Sequence, residues 1–261
     1  MTAATGTEHG IGNLAAQSSA LAGRNLRQRA NAEMLVVFGV FPVIFVFGFV
    51  LLFGRLFAER GLDYAQFLPP AIVAQWMFTV ANTSGAASAA DRASGMLTRC
   101  LSMPVNRAAV VVGRLASDAV WAVLAVVVIS ATGYVAGFRF QGGALAVLGF
   151  VLLAVAFALT LTAATTAVGL SSTDPEAVAA TLNLPYLALI MLSTAFVPAD
   201  AFPGWLEPVI RYSPVSVVIE ALRSLASTTP SWGKVWPAVA WLAGLLVIFS
   251  WAAARAFRRA R

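Results

Sequence analysis

Asp91-Arg92-Ala93-Ser94-Gly95-Met96-Leu97-Thr98-Arg99-Cys100-Leu101-Ser102-Met103-Pro104-Val105-Asn106-Arg107 is a polar stretch in a mostly apolar chain. Extended to Arg114, it holds four of the 17 basic side chains, Arg92, Arg99, Arg107 and Arg114. Long apolar runs flank it on both sides. The pattern predicts a short cationic helix that starts near Asp91 or Ser94 and reaches Met103. Pro104 ends it, because proline disfavours α conformation in the residue before it. A cationic helix between two membrane spans is a shape that a soluble partner can push.

Composition supports the membrane reading. Of 261 residues, 60% are hydrophobic and 11% charged, against about 25% charged in an average soluble domain. Net charge is +6 and the pI is about 10.4. The basic residues sit beside apolar runs, so lipid headgroups and topology explain them, not nucleic acid. Cys100 and His9 are the only cysteine and histidine. An internal disulfide is therefore excluded, and a His-based metal site or catalytic triad is not expected.

Outward from the central stretch, the apolar runs read as spans of about 20 residues or more. Span 1 is Met34–Phe53, with Pro42 inside, and span 2 is Tyr64–Ala90. The second half of span 2, from Thr83 to Ala90, is made of small residues that let helices approach closely. Span 3 is Leu115–Phe138, with Gly133 and Gly137. Asp118 stands four residues after Arg114, within pairing distance on one helix face. A buried proton-relay acid is the sharper reading of Asp118. Span 4 is Ala144–Leu170, span 5 is Ala177–Val197 with Pro185, and span 6 is Val235–Ala254.

Between spans 5 and 6, residues 198–234 carry Phe202-Pro203-Gly204-Trp205 and Ser213-Pro214. An apolar segment, Val215–Ala226, follows with Glu220 and Arg223. It is too short and too charged to span, and suits an outward re-entrant or interfacial hairpin. At the other end, residues 1–33 form a polar tail without a signal-peptide pattern. A weakly amphipathic helix is expected over Leu14–Glu33, lying on the membrane surface; for residues 1–20 a disordered basic tail is an equal reading. Residues 255–261 are a basic tail. The fold class is thus all-α and integral to the membrane: six transmembrane helices, an N-terminal interfacial helix and an outward hairpin.

An even number of spans puts both termini on one side. That side carries Arg24, Arg27 and Arg29, the four central arginines and four more at the C-terminus. The other carries Arg55, Arg60, Arg139, Arg211, Arg223 and Lys234. The richer side belongs in the cytosol. No phosphate-binding loop is present; Gly233-Lys234 is followed by Val235 where Ser or Thr is needed. HExxH and G-x-S-x-G are also missing, and no carboxylate is placed deep in a span. The chain shows no catalytic residue and no energy source of its own.

With these features in view, the chain resembles the ABC-2 type transporter permeases of the bacterial daunorubicin-resistance-like exporter class. The resemblance covers essentially the whole chain. It rests on the helix before span 1; on Asp91–Met96, Leu101–Val105 and Arg107 between spans 2 and 3; on Thr173-Asp174-Pro175-Glu176-Ala177 before span 5; and on the proline-rich hairpin with Ala221-Leu222-Arg223. Ala90 and Ala93 stand where the family usually carries acids. The resemblance implies a dimer, with a second copy or a paralogue, and two ATP-binding subunits that hold ATP and Mg²⁺. It makes Asp91, Arg92, Ser94, Gly95, Met96, Leu97, Arg99, Leu101 and Pro104 the contact to those subunits. Phe202, Pro203, Trp205, Pro214, Glu220 and Arg223 become parts of an outward gate. Residues 34–254 would form the transmembrane domain of an exporter in the bacterial cell membrane, for an amphiphilic drug, a polyketide or a lipid. The rivals are a secondary carrier, which would show a three-plus-three repeat, and a passive membrane scaffold. Pro42 and Pro185 do not fall at corresponding positions of two halves.

Overall fold

The structure, a computed structural model, describes residues 18–27, 32–59, 61–96 and 107–259. Helix α1 covers residues 18–27, and α2 runs Ala32–Ala58. A short α3, Tyr64–Phe67, leads into α4, Pro69–Ala93. Then come α5 (Arg107–Ala136), α6 (Ala144–Gly169) and α7 (Pro175–Met191). A 3-10 turn at Ala199–Ala201 and helices α8 (Glu207–Tyr212) and α9 (Pro214–Ala226) precede α10 (Trp232–Arg259). No strand occurs among the described residues.

Four of these helices, α2, α5, α6 and α10, are long and apolar enough to cross a membrane. The other two expected spans each miss one requirement. Helix α4 has 25 residues, about 38 Å at 1.5 Å per residue, but Gln75, Asn82, Ser84 and Ser88 dilute its apolar character. Helix α7 is apolar, but at 17 residues it measures about 26 Å. It stops at Met191, short of the expected Val197.

Helix α4 is the centre of the bundle, packed on α6 above all and also on α5, α7 and α9. Ile72, Val73, Met77 and Val80 on it are buried. Toward its end the small residues bring backbones together, as the sequence predicts. A Cβ added at Gly169 would lie 2.1 Å from the Gly85 carbonyl, and one at Gly85 would lie 3.0 Å from Thr165. The Thr165 hydroxyl donates to Ala81 O at 2.7 Å across the same seam.

Proline sets the irregularities. In α2, Val36–Val40 is a π segment, and the Phe41 N–H bonds Val36 O. Continued in that register, Val37 O would need the N–H of residue 42, and Pro42 has none. The Trp76 indole N–H supplies it instead, at 3.1 Å. Span 2 is not one helix from Tyr64: Pro69 and Pro70 remove two donors, and α3 and α4 separate at Leu68. Asp174 caps α7, accepting from the N–H groups of Glu176 (2.9 Å) and Ala177 (3.1 Å), with Pro175 at the first helical position.

The central stretch departs from expectation at Asp91, which starts no helix; Met96, two residues after the other expected start at Ser94, is helical, and the rest of the expected helix to Met103 lies outside the described residues. Asp91–Ala93 is instead the last turn of α4, capped at Ser94, and the chain turns away at Gly95 with φ +67°. The helix that carries span 3 begins at Arg107, ahead of the expected span start at Leu115, so Arg107 and Arg114 lie on α5. Leu97, Arg99, Leu101 and Pro104 lie outside the described residues. At the other end, α10 begins at Trp232 and absorbs residues 255–259 of the basic tail.

Candidate functional site

Three polar assemblies stand out against the apolar bundle. The first joins α4, α5 and α6 beside the central stretch. Arg114 of α5 donates to the Asp91 carboxylate, to the Ser88 hydroxyl and, at 3.1 Å, to Ser84 O. The Ser84 hydroxyl in turn donates to Asp118 at 2.7 Å, and Asp118 is fully buried. Arg92 donates to Leu170 O at the end of α6, where orphan carbonyls favour a cation. Asp91 and Arg92 thus hold their own bundle together. Ser94 is exposed, its hydroxyl donating to Asp91 O at 3.2 Å.

Met96 lies just past the turn, its sulfur accepting from the Arg24 guanidinium at 2.7 Å. Helix α1 is therefore docked beside the central stretch. It crosses α5 at Gly113, where an added Cβ would meet Leu21 at 2.9 Å and Ser18 O at 3.0 Å. An added Cβ at Gly95 would meet nothing within 4 Å. Within this chain Gly95 serves the left-handed turn that ends a helix, not close packing.

The second assembly is in the segment between α7 and α10, where the hairpin is expected. Arg223 of α9 donates to Glu220 at 2.8 Å, to Phe67 O at 3.0 Å, and to Thr194 O and Ala195 O at 2.8 and 3.1 Å. Its guanidinium lies 3.4 Å from the centre of the Phe67 ring. Burial pulls its pKa down to about 10, with Glu220 opposing, so it stays charged at neutral pH. Lys234 reaches the other Glu220 oxygen at 3.4 Å. Of the hairpin residues singled out by sequence, Glu220 and Arg223 come together, and Pro214 opens α9. Pro203 and Trp205 are exposed on the turn before α8, with Phe202 half-buried.

The third assembly escapes the sequence reading. Near the middle of α4 and α7, the Asn82 amide donates to Asn183 at 3.4 Å, with Asn183 exposed. One turn or two away on α4, Gln75 lies beside Tyr186 of α7, and its carbonyl oxygen is buried with no hydrogen-bond partner. Positions 75, 79 and 82 share one helical face. The signal was in the sequence: amides inside apolar runs.

The fold and these assemblies define a multi-pass membrane protein, helical throughout its described membrane-crossing segments. The sequence profile described as ABC-2 type transporter matches residues 16–226, and the chain belongs to that family. It is 29% identical over 217 residues to the daunorubicin resistance ABC transporter permease protein DrrB1 of Streptomyces coeruleorubidus, covering 83% of this chain and 77% of that one. It is 31% identical over 234 residues to the doxorubicin resistance ABC transporter permease protein DrrB of Mycobacterium tuberculosis, covering 84% and 81%. The probable doxorubicin resistance ABC transporter permease protein DrrC of the same organism is 31% identical over 170 residues, covering 65% and 61%. The chain is a membrane-spanning permease subunit of this class.

Proposed function

We propose that the chain exports amphiphilic or hydrophobic compounds, of the kind named for its relatives, when driven by a separate ATP-binding subunit that carries ATP and Mg²⁺. The working unit is two permeases, this chain with a second copy or a paralogue, in a bacterial cell membrane. Six helices cross the membrane, α4 and α7 included, and both termini face the cytosol. Residues 94–104, from the turn at Gly95 onward, meet the ATP-binding subunit. Residues 198–234 gate the outer exit as a re-entrant hairpin.

The Asn82–Asn183 pair is the observation that carries this reading. Amide groups facing hydrocarbon are costly, and inside membranes they mark helix contacts or substrate paths. A face with amides at mid-helix and Leu184 and Leu187 exposed suits a second permease across a part-polar, part-apolar path. That wall fits an amphiphile better than an ion, which would need charged partners.

The test is purification of the tagged chain from its native membrane, followed by export assays with a fluorescent anthracycline. The reading expects an ATP-binding subunit to co-purify and export to require ATP. Recovery of the chain alone, with export persisting after ATP depletion, would sink it. Replacing both Asn82 and Asn183 by Leu is expected to lower export while ATPase association persists.

A further inference from the structure

We infer that a phospholipid acyl chain occupies the cleft between α6 and α10 as a held component of the protein. The cleft has a volume of about 760 Å³, within the roughly 300–1,000 Å³ range of ligand sites. Its α6 wall steps along Ala146, Gly149, Leu153 and Ala156, one face of that helix. Its α10 wall is Val235, Val239, Leu242 and Leu246, again one face. Leu225 of α9 reaches into its hairpin end, resting 3.3 Å from where a Cβ on Gly149 would stand.

The chemistry of the walls selects the occupant. Thr160 is the one hydroxyl lining the cleft, and it is spent on Ala156 O at 2.8 Å. At depth only the Thr160 oxygen is left, as an acceptor, so water finds no set of partners there and a polar compound would leave groups unpaired. An empty cleft would forfeit dispersion contacts along both helices. Saturated hydrocarbon meets neither cost. Both walls belong to helices able to cross a membrane. The lips of the cleft, with Leu145 74%, Leu148 53% and Leu152 58% exposed, continue that lipid-facing surface.

Length and rim agree. Gly143 to Thr160 is about 25 Å of helix, longer than the ~15 Å of hydrocarbon in one leaflet. Trp232 stands at the hairpin end, 70% exposed, where an indole suits the headgroup level. The Lys234 ammonium lies on the same first turn and is shared with Glu220; it adds attraction for a lipid phosphate. Through Leu225 the bound chain supports α9, two residues beyond Arg223.

The full chain, in membranes with its accompanying subunits, would be irradiated with a phospholipid carrying a mid-chain diazirine, and the labelled peptides mapped. Label is expected to concentrate on α6 near Leu153 and on α10 near Leu242. Ala156→Phe with Ala243→Phe, which fill the cleft from positions open to it, should cut that label to the level of the lipid-facing α2 peptide. Val247→Phe, exposed on α10 and outside the cleft, should leave it unchanged. Equal labelling around Leu51 and Leu52 of α2 would mean ordinary annular contact and overturn the proposal. Displacement of the label by an anthracycline would also overturn it, making the cleft a drug site. Native mass spectrometry of the unmutated protein gives an independent check: one retained phospholipid per chain is expected, and none contradicts the inference.

Discussion

Arg223 gathers one carboxylate and three backbone carbonyls, and its consequence is testable by itself. A guanidinium places five donors in a fixed fork, and here that fork serves Glu220 and the carbonyls of Phe67, Thr194 and Ala195. Arg223→Met would take their charged donor from three carbonyls and leave Glu220 only its longer contact to Lys234. Hydrogen bonds to a charged group contribute about 1.5–3 kcal/mol each, so thermal unfolding of the purified protein should show a clear loss. Arg223→Lys keeps the charge but not the fork, and should fall between. Met96 supplies the second residue-scale prediction. Met96→Asp keeps a partner for Arg24 and so preserves the docking of α1. If Met96 also anchors an ATP-binding subunit, losing it costs about 2 kcal/mol, roughly thirtyfold in binding. Recovery of that subunit on the tagged permease measures this; unchanged recovery would restrict Met96 to its contact with α1. Gly95→Trp is the poorer probe. At φ +67° a tryptophan strains the turn whether or not a partner is present.

At the scale of elements, the seam between α4 and α6 depends on two glycines. Gly169→Ala puts a methyl 2.1 Å from a backbone oxygen, which no side-chain rotation relieves. Overpacking of this kind costs about 1–3 kcal/mol, so membrane levels and detergent stability should drop. Gly244→Ala on α10, where nothing lies within 4 Å, should be silent. The small-residue run Thr83–Ala90 announced this seam because its cause is local composition. Helix ends were harder to read. Pro69 and Pro70 carry the signal for the break at Leu68, which the reading of span 2 as one run from Tyr64 passed over, and the turn at Gly95 was hidden inside a polar run read as one helix. Asp91 and Arg92 look like surface charges in sequence. Their partners Arg114 and Leu170 are distant in the chain, and only packing brings them together. The amide pair of Asn82 and Asn183 was legible in principle, since each interrupts an apolar run. Their meeting, 101 positions apart, was not.

For the molecule as a whole, side preference is the open geometric statement. The distribution of arginine and lysine predicts that a Ser231→Cys probe reacts with an impermeant thiol reagent from outside the cell, while Cys100 reacts only after permeabilisation. Labelling of the Ser231 probe from the cytosolic face alone would invert the arrangement. Helix α4 gives this architecture a mechanical character. It is a stiff rod of about 38 Å, clamped near one end by Arg114 and Arg92 and meeting Arg223 through Phe67 O near the other. Between its clamps the hydrogen-bond ladder carries no internal proline, so it has little compliance. The softest joint is Leu68, where Pro69 and Pro70 leave the carbonyls of Ala65 and Gln66, one turn back, without helical donors. A displacement applied at the Gly95 end would therefore travel the rod undiminished and emerge at its far end as a swing of α3, carrying Arg223 and the hairpin with it.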